Sequence, residues 1–197
     1  YFLENSLENV LGMFLLDKDG NNIENKIIAG LRLSGKINNN LRIGLLNMQT
    51  SQDIENEISA YNNSIITLQQ KVFDRSNFNI FFINREATGE NEYTEENDKF
   101  NRVIGFDYNL RSNDSKWDGK YYFHRSYSPE ENENSNSYGI STSYESRNFG
   151  FRAAGLYIGE DYRSDLGYVR RNDIIKLYPE ISYTIWPEKS RFLNHRF

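Results

Sequence analysis

Cysteine is absent from the 197 residues of this chain, so disulfides, thiolate zinc sites and cysteine nucleophiles are excluded. Histidine occurs only twice, at His124 and His195, without the spacing of a zinc site. Neither a Gly-x-Ser-x-Gly elbow nor a phosphate-binding glycine loop is found. These absences predict a protein that is not an enzyme and holds no metal or cofactor.

Long hydrophobic runs are missing as well. No run of about 18 apolar residues, the length that marks a membrane-spanning helix, occurs in the sequence. The strands of a β-barrel need only about ten residues of alternating polarity, so a mean hydropathy of -0.75 still allows a barrel with a wet interior. The net charge of -5 argues against nucleic acid as a partner, because phosphate binding requires a basic face.

What the chain does contain is a repeated alternation of apolar and polar residues. Residues 138–144 carry Tyr, Ile, Thr and Tyr at every second position, a tight turn follows at 146–148, and the alternation resumes at 149–154. A period of two predicts β-strands with one apolar and one polar face. The same pattern predicts strands near 28–37, 41–49, 64–72, 77–85, 104–110, 117–123 and 175–185, with a tenth beginning in 191–197.

The predicted strands are joined alternately by short turns and long loops. In transmembrane barrels the short turns lie at one membrane face and the long loops at the other, whereas a β-sandwich has links of mixed length. We therefore expect an all-β antiparallel up-and-down meander that forms a transmembrane β-barrel, or part of a larger one. Residues 1–197 are expected to form a single barrel segment, with an irregular lead-in over 1–26 and about ten strands over 27–197. The start at Tyr1, without a Met, suggests a fragment.

Charge is sorted between the two faces of the predicted strands. If the apolar parity of each strand faces outward, ten cations fall on the inward parity against four carboxylates. A Lys or Arg on the lipid face near the membrane midplane costs about 2–4 kcal/mol, and such a penalty would produce this sorting. The long loops, by contrast, are acidic. The inward cations are Arg32, Lys36, Arg42, Lys71, Arg85, Arg111, Lys116, Lys120, Arg152 and Lys176.

These cations predict an interior of net positive charge that favours anionic or polyhydroxyl solutes, or binds an acidic plug. The alternative is that they pair with neighbours and water and merely fill a closed barrel. A separate cluster of Arg170, Arg171 and Asp173 could clamp a carboxylate or phosphate. It could also pair with Asp161 and Asp165 and fix its own loop. The candidate binding residues are therefore Arg32, Lys36, Arg42, Arg85, Arg111, Lys120, Arg152, Arg170, Arg171 and Asp173.

Aromatic residues near the predicted strand ends form a further pattern. In a membrane barrel they would be interfacial girdles, and in a soluble protein they would be a core or a platform for stacking sugars. The residues concerned are Tyr108, Trp117, Phe149, Tyr157 and Tyr183.

Three segments resemble one known family. They read FLENS (2–6), GLRLSGK (30–36) with IGLLNMQT (43–50), and IGEDY (158–162) with DLGYVRRNDI (165–174). They resemble Bacteroidota envelope proteins that place a carbohydrate-binding, family-9-like module before a large C-terminal β-barrel domain. The resemblance implies that the chain is part of the barrel domain, lies in the outer membrane and belongs to a longer polypeptide. The carbohydrate module is not among these residues, so a glycan role is implied by association only.

Three functional hypotheses follow. The first is a non-enzymatic bacterial outer-membrane barrel for solute or glycan uptake, with the lipid bilayer and lipopolysaccharide as partners. The second is a soluble β-sandwich that binds carbohydrate through exposed Tyr and Trp. The third is a structural barrel recruited by other envelope proteins into a larger complex. Expression without detergent separates the first two, and liposome conductance separates the first from the third.

Overall fold

Almost all regular secondary structure is β-strand in the computed structural model, which describes residues 14–16, 22–24, 26–89, 94–130, 133–186 and 195–196. In the lead-in, β1 (Phe14–Leu16) and β2 (Asn22–Glu24) form an antiparallel hairpin. The strands that follow are β3 (Ile27–Lys36), β4 (Leu41–Thr50), β5 (Ala60–Val72), β6 (Ser76–Thr88), β7 (Phe100–Arg111), β8 (Trp117–Tyr127), β9 (Asn136–Glu145), β10 (Phe149–Ile158), β11 (Ile174–Ile185) and β12 (His195–Arg196).

The strands β3 to β12 form one sheet in which every strand pairs antiparallel with the next one along the chain. This confirms the predicted all-β antiparallel meander. Within the described residues the ladder runs from β3 to β12 and its two ends are not hydrogen-bonded to each other, so hydrogen bonds do not close the sheet into a barrel. The described strands of this meander also lie in one sheet rather than in the two packed sheets of a sandwich.

The predicted alternation of connection length is confirmed from β3 to β11. Turns of three to five residues alternate with loops of eight to fifteen residues. Because every neighbouring pair is antiparallel, all the short turns lie at one end of the sheet and all the long loops at the other. We call these the turn end and the loop end.

The strand register defines two faces of the sheet. Leu46 lies opposite Ile65, Ile65 opposite Ile83, and Ile83 opposite Val103. All four side chains are buried. Successive residues of a strand point to opposite faces, so the register assigns every strand residue either to the face of these four, called the inner face, or to the outer face.

The buried core lies on the inner face and is completed by a loop. Six of its side chains belong to β4–β7, and Tyr162 and Leu166 come from the loop 159–173, which folds back over the inner face at the loop end. Burying one such side chain contributes about 1.5–3 kcal/mol. This packing explains why Leu46 and Met48 interrupt the alternation of β4: they occupy inner positions beneath the loop.

Two inner-face glycines make room for aromatic rings from the neighbouring strand. Gly105 lies directly opposite Phe81, and Gly139 directly opposite Tyr122. A Cβ at either glycine would overlap the facing ring. Each large ring therefore lies flat across the position where a side chain is missing.

Four strands extend further towards the loop end than predicted. The strands β5 and β7 begin four residues earlier, at Ala60 and Phe100, and β6 and β8 end three and four residues later, at Thr88 and Tyr127. The added residues are mostly polar on both faces, so they show no alternation, and the backbone ladder holds them.

Candidate functional site

The register places most of the candidate cations on the inner face. Arg32 lies opposite the buried Leu46, for example, and Arg85 lies between Asn63 and the buried Asn101. Arg102 and Arg125 are on the outer face, near the loop end. The candidates on the inner face are Arg32, Lys36, Arg42, Arg85, Arg111, Lys120 and Arg152, together with Lys71 and Lys176.

Two inner cations, Arg111 on β7 and Arg152 on β10, lie opposite carboxylates of the next strand. Arg152 lies opposite Glu180, with 3.9 Å between Nη1 and Oε2, and Arg111 lies opposite Asp118. The side chains of Arg152 and Glu180 are more than half exposed, so their pairing contributes at most about 1 kcal/mol. This part of the inner face is wet and charged rather than tightly paired.

Arg85 is the one inner candidate of the loop end that is buried. Its Nη1 donates to Asp165 Oδ2 at 2.8 Å, and its guanidinium carbon lies 3.6 Å from the centroid of the Tyr61 ring. The two paired side chains are 8% and 11% exposed. Buried charges are tolerated when paired and hydrogen-bonded, so Arg85 and Asp165 fasten the loop 159–173 to the sheet.

Arg163 is a second fastening point, which sequence reasoning missed. Its Nε and Nη2 donate to the two carboxylate oxygens of Asp165 at 2.6 and 3.0 Å, and Nη2 also donates to Asp98 Oδ1 at 2.6 Å. Partial burial lowers the pKa of Arg163, but hydrogen bonds and charges of Asp98 and Asp165 outweigh it and leave this pKa above its ordinary value. Asp98 ends the short 3-10 helix Glu96–Asp98, so Arg163 joins two long loops.

Asn101 on β7 fixes the backbone of the same loop. Its Nδ2 donates to the Arg163 carbonyl at 3.1 Å, and its Oδ1 accepts from the Asp165 N–H at 3.0 Å. Ser126 Oγ accepts from the Arg163 N–H at 3.1 Å. Buried polar side chains thus hydrogen-bond to both N–H and C=O groups of the loop backbone. The loop is therefore held in a defined position against the inner face and is not a loose surface segment.

Arg170, Arg171 and Asp173 form an exposed cluster, and their clamping of a carboxylate or phosphate ligand stays a prediction. All three residues are exposed, and Asp165 pairs with Arg85 and Arg163 instead. Asp161 accepts from the backbone N–H of Asn134. The alternative that Arg170 and Arg171 pair with Asp165 is therefore wrong, because the charged partners of Asp165 are Arg85 and Arg163.

A carboxylate–imidazole pair lies beneath the loop. Asp107 Oδ1 and His124 Nε2 are 2.8 Å apart, and their side chains are 8% and 13% exposed. Burial raises the pKa of Tyr162, and the nearby Tyr122 and Asp107 add to that rise. Among the described residues, no group of three or more His, Asp or Glu could hold a metal ion. His124 thus provides a hydrogen-bond partner for the buried Asp107 carboxylate.

The outer face carries an exposed apolar band over its turn-end half. On the central strands Ile104, Phe106, Phe123 and Ile140 are between 45% and 57% exposed. Large apolar side chains occupy three or four alternate positions on most strands of this band. The members on β4–β11 include Ile43, Leu45, Ile66, Leu68, Phe78, Ile80, Phe82, Ile104, Phe106, Phe123, Tyr138, Ile140, Phe151, Leu177 and Ile181.

Aromatic side chains line the turn-end edge of this band. Trp117 and Tyr144 have ring centroids 5.0 Å apart, and Tyr144 lies 6.3 Å from Phe149. Tyr108 and Tyr121 stack at 6.0 Å. At the other edge Tyr138 stacks on Tyr157 at 4.9 Å. The predicted girdle residues Tyr108, Trp117, Phe149, Tyr157 and Tyr183 all lie on the outer face.

On β4–β7, polar side chains cover the loop-end half of the outer face. Asn47 Nδ2 donates to Asn62 Oδ1 at 2.9 Å and to Ser64 Oγ at 2.8 Å. Arg102 Nε donates to Asn84 Oδ1 at 2.9 Å. On these four strands the outer face therefore changes from apolar at the turn end to hydrogen-bonded amides and charges at the loop end.

The fold and the two faces define the class of this chain: an all-β antiparallel meander with one apolar and one polar, loop-covered face. The chain belongs to the family described as Domain of unknown function (DUF5916), which matches residues 18–197. No curated protein and no solved structure matches it. Among the described residues, no helix is long and apolar enough to cross a membrane.

Proposed function

We propose that this sheet forms part of the wall of a transmembrane β-barrel in a bacterial outer membrane, and that the protein is non-enzymatic and takes up or holds anionic solutes. The observation that carries the proposal is the exposed apolar band of the outer face. Apolar patches that run across many neighbouring strands mark an interaction surface. The band runs without interruption across strands that are consecutive in the chain, and a surface of this kind fits a lipid bilayer.

The edges of the band support a lipid environment. Outer-membrane strands carry an apolar belt about 25 Å tall between rows of aromatic residues, and Trp and Tyr favour the membrane–water interface. Trp117, Tyr144 and Phe149 form such a row at the turn-end edge. Arg102 and Arg125 on the outer face lie beyond the band, where long side chains reach the head groups. Lipopolysaccharide and phospholipid are thus the proposed neighbours of this face.

The inner face supports the choice of anionic solutes. Its exposed strand cations outnumber its carboxylates, and a cleft lined by one sign of charge concentrates counter-ions. The loop 159–173 covers the loop-end half of this face, so a solute would contact the turn-end half, where the cations are exposed. A role with glycans or with other envelope proteins rests on the family resemblance alone.

Single cysteine substitutions at adjacent residues test this assignment, because residues 1–197 supply no cysteine of their own. Ile140→Cys and Leu68→Cys place a thiol on the outer face, and Ser141→Cys and Gln69→Cys place one on the inner face. In outer-membrane vesicles of the intact protein, the outer thiols should react with a bilayer-confined maleimide and resist a water-soluble one, and the inner thiols should do the reverse. Equal reaction of all four with the water-soluble reagent would exclude lipid contact.

A filled, non-conducting barrel that serves a larger envelope complex is the second candidate. The core beneath the loop 159–173 favours it, because Tyr162 and Leu166 occupy the inner face at the loop end. Single-channel recording of the intact protein in planar bilayers separates the candidates. Anion-selective openings support solute passage, whereas a closed bilayer with correctly oriented cysteine labelling supports the structural role.

A soluble carbohydrate-binding module is the remaining alternative, and the stacked outer aromatics favour it. Pairs such as Tyr108 with Tyr121 offer flat surfaces of the kind that stack on sugar rings. Expression without detergent decides this case. A soluble, monodisperse protein that binds glycans would replace the membrane assignment.

A further inference from the structure

A basic groove of about 390 Å³ lies at the turn end of the inner face, well away from the core. Its cations are Lys36 on β3, Arg42 on β4, Lys71 on β5 and Arg75 in the following turn. We propose that this basic groove binds the phosphate groups of a soluble phosphorylated solute. This proposal names a ligand class for the proposed function. It rests on that function only for the compartment in which the protein would encounter the ligand.

The basic groove carries a net positive charge, because four cations and one carboxylate line it among the described residues. Lys36 and Arg42 lie directly opposite each other on neighbouring strands, and like charges in that position are destabilising. No described carboxylate lies within ion-pair distance of Lys36, Arg42 or Lys71, whereas Arg85, Arg102, Arg152 and Arg163 all have such partners. An anion bound between the two strands would relieve this repulsion.

Among the described residues, Asp74 is the only carboxylate that lines the groove, and its hydrogen bond leads to the next short turn rather than to the groove cations. Its Oδ2 accepts from Asn113 Nδ2 at 2.5 Å, in the next short turn. Arg75 reaches the same turn, where its Nη1 donates to the Asn113 carbonyl at 3.3 Å and contacts Ser115 Oγ. Asp74 and Arg75 therefore tie two turns together, and three cations are left facing the groove.

The walls of the groove are held in place by hydrogen bonds to backbone N–H groups. Asn38 Oδ1 accepts from the N–H groups of Asn40 and Leu41, each at 2.8 Å, which fixes the β3–β4 turn. The Lys71 N–H donates to the Asn40 carbonyl at 2.6 Å, which joins that turn to β5. A preformed site loses less free energy to ordering when its ligand arrives.

The side chains that line the groove match a phosphate on a hydroxyl-rich carrier. A guanidinium binds two phosphate oxygens at once, and ammonium groups bind phosphate as point charges. Asn39, Gln69 and Asn77 add amide groups that can donate to and accept from hydroxyls. Because the groove opens on the inner face, and the apolar band lies on the outer face, the phosphate source is a solute rather than a lipid head group.

Inorganic pyrophosphate, titrated calorimetrically into the intact protein in neutral detergent at low salt, tests the proposal. The Lys36→Gln/Arg42→Gln variant should bind at least about tenfold more weakly, since it loses two charge-assisted hydrogen bonds. The matched control is Lys99→Gln/Arg147→Gln, which removes the same two side-chain types from exposed positions outside the groove, just before β7 and in the β9–β10 turn. The control should bind within roughly twofold of the parent protein.

Three results would overturn the proposal. One is equal weakening by the two double variants, which would show a general charge effect. Another is the absence of pyrophosphate binding by the parent protein. The third is competition by phosphatidylglycerol in the micelles, which would assign the groove to a lipid head group. The cysteine labelling tests the membrane assignment without any use of pyrophosphate. Failure of the membrane assignment can therefore be distinguished from failure of the phosphate-binding proposal.

Discussion

Asp165 connects the loop 159–173 to two strands of the sheet. Its carboxylate accepts from Arg85 on β6 and from two nitrogens of Arg163, and its backbone N–H donates to Asn101 on β7. Charge-assisted hydrogen bonds are about twice as strong as neutral ones. The carboxylate of Asp165 therefore joins the buried Arg85 of the sheet to Arg163 of the loop, and it contributes directly to holding the loop 159–173 on the inner face.

Replacement of Asp165 by Asn should release the loop. The change leaves the buried Arg85 guanidinium without its counter-charge, and breaking a buried pair costs about 3–5 kcal/mol. We expect the amides of residues 160–168 to exchange with deuterium at least about a hundredfold faster, as measured by mass spectrometry. Asp161→Asn is the control, because Asp161 is paired only to a backbone N–H in an exposed place. Unchanged protection in Asp165→Asn would show that Tyr162 and Leu166 hold the loop by themselves.

At the scale of single residues, sequence reasoning found the sheet partner of this network but not the loop partner. Arg85 was identified because it lies on the polar parity of a predicted strand. Arg163 lies in a loop without periodicity, where no pattern tells which way a side chain points. A signal was nevertheless present: Tyr162, Leu166 and Val169 are apolar residues spaced through an otherwise polar loop, and all three pack on the core.

Among the elements, the inner face of the central strands depends on glycines that face aromatic rings. The rings of Phe81 and Tyr122 occupy the space above Gly105 and Gly139. Phe81 is 4% exposed, so it has no free space into which to move. A methyl group at either glycine should force the ring off its rotamer and strain the strand pair.

Gly105→Ala and Gly139→Ala should each destabilise the fold by about 1–3 kcal/mol, the typical cost of overpacking. The measurement is the free energy of unfolding from urea titration, followed by tryptophan fluorescence in detergent. Gly35→Ala on β3 is the matched control, since a Cβ there would meet no atom of the described residues within 4 Å. A loss of the same size in all three variants would point to backbone flexibility rather than to ring packing.

The limits of the elements were less predictable than their number and order. Alternation located every strand from β3 to β11, because the turn-end half of each strand has one apolar and one polar face. At the loop end, segments such as Asn62-Asn63-Ser64 and Asn84-Arg85-Glu86 are polar on both faces, so the alternation disappears although the strands continue. Amide networks such as Asn47 with Asn62 and Ser64 stabilise these ends instead.

For the molecule as a whole, the two faces meet different solvents if the proposed function holds. Ile140 and Ser141 are consecutive residues of β9 that point to opposite faces. Ile140→Arg should destabilise the bilayer-folded state by about 2–4 kcal/mol, the cost of an arginine on the lipid face near the midplane. Ser141→Arg, on the polar inner face, should change it by less than about 1 kcal/mol.

Reversible folding into phospholipid vesicles, titrated with urea, measures both variants. The comparison is sharp because Ile140 is 57% exposed in the structure. In a water-soluble protein an arginine at such a position would be nearly neutral or would improve solubility. Equal stability of the two variants would therefore argue that the outer face meets water.

The residue pattern predicted the meander and the sorting of cations to one face, but it does not reveal whether the sheet closes into a barrel. Whether a sheet closes depends on strand tilt and on the register summed over all strands. Single residues such as Lys36 and Lys176, at the two sides of the sheet, contain no information about that sum. The basic groove likewise emerged only when the register placed Lys36 opposite Arg42 and the turns brought Arg75 beside them.

The placement of Tyr162 and Leu166 has a consequence for biogenesis. During synthesis, the strands β4–β7 leave the ribosome long before residue 162 does, so Leu46, Ile65 and Val103 have no cover while the nascent chain is incomplete. Segments with unburied apolar surface are prone to aggregate. We therefore expect a chaperone to shield this surface until the downstream segment arrives, and a truncation before residue 159 to accumulate with that chaperone rather than fold.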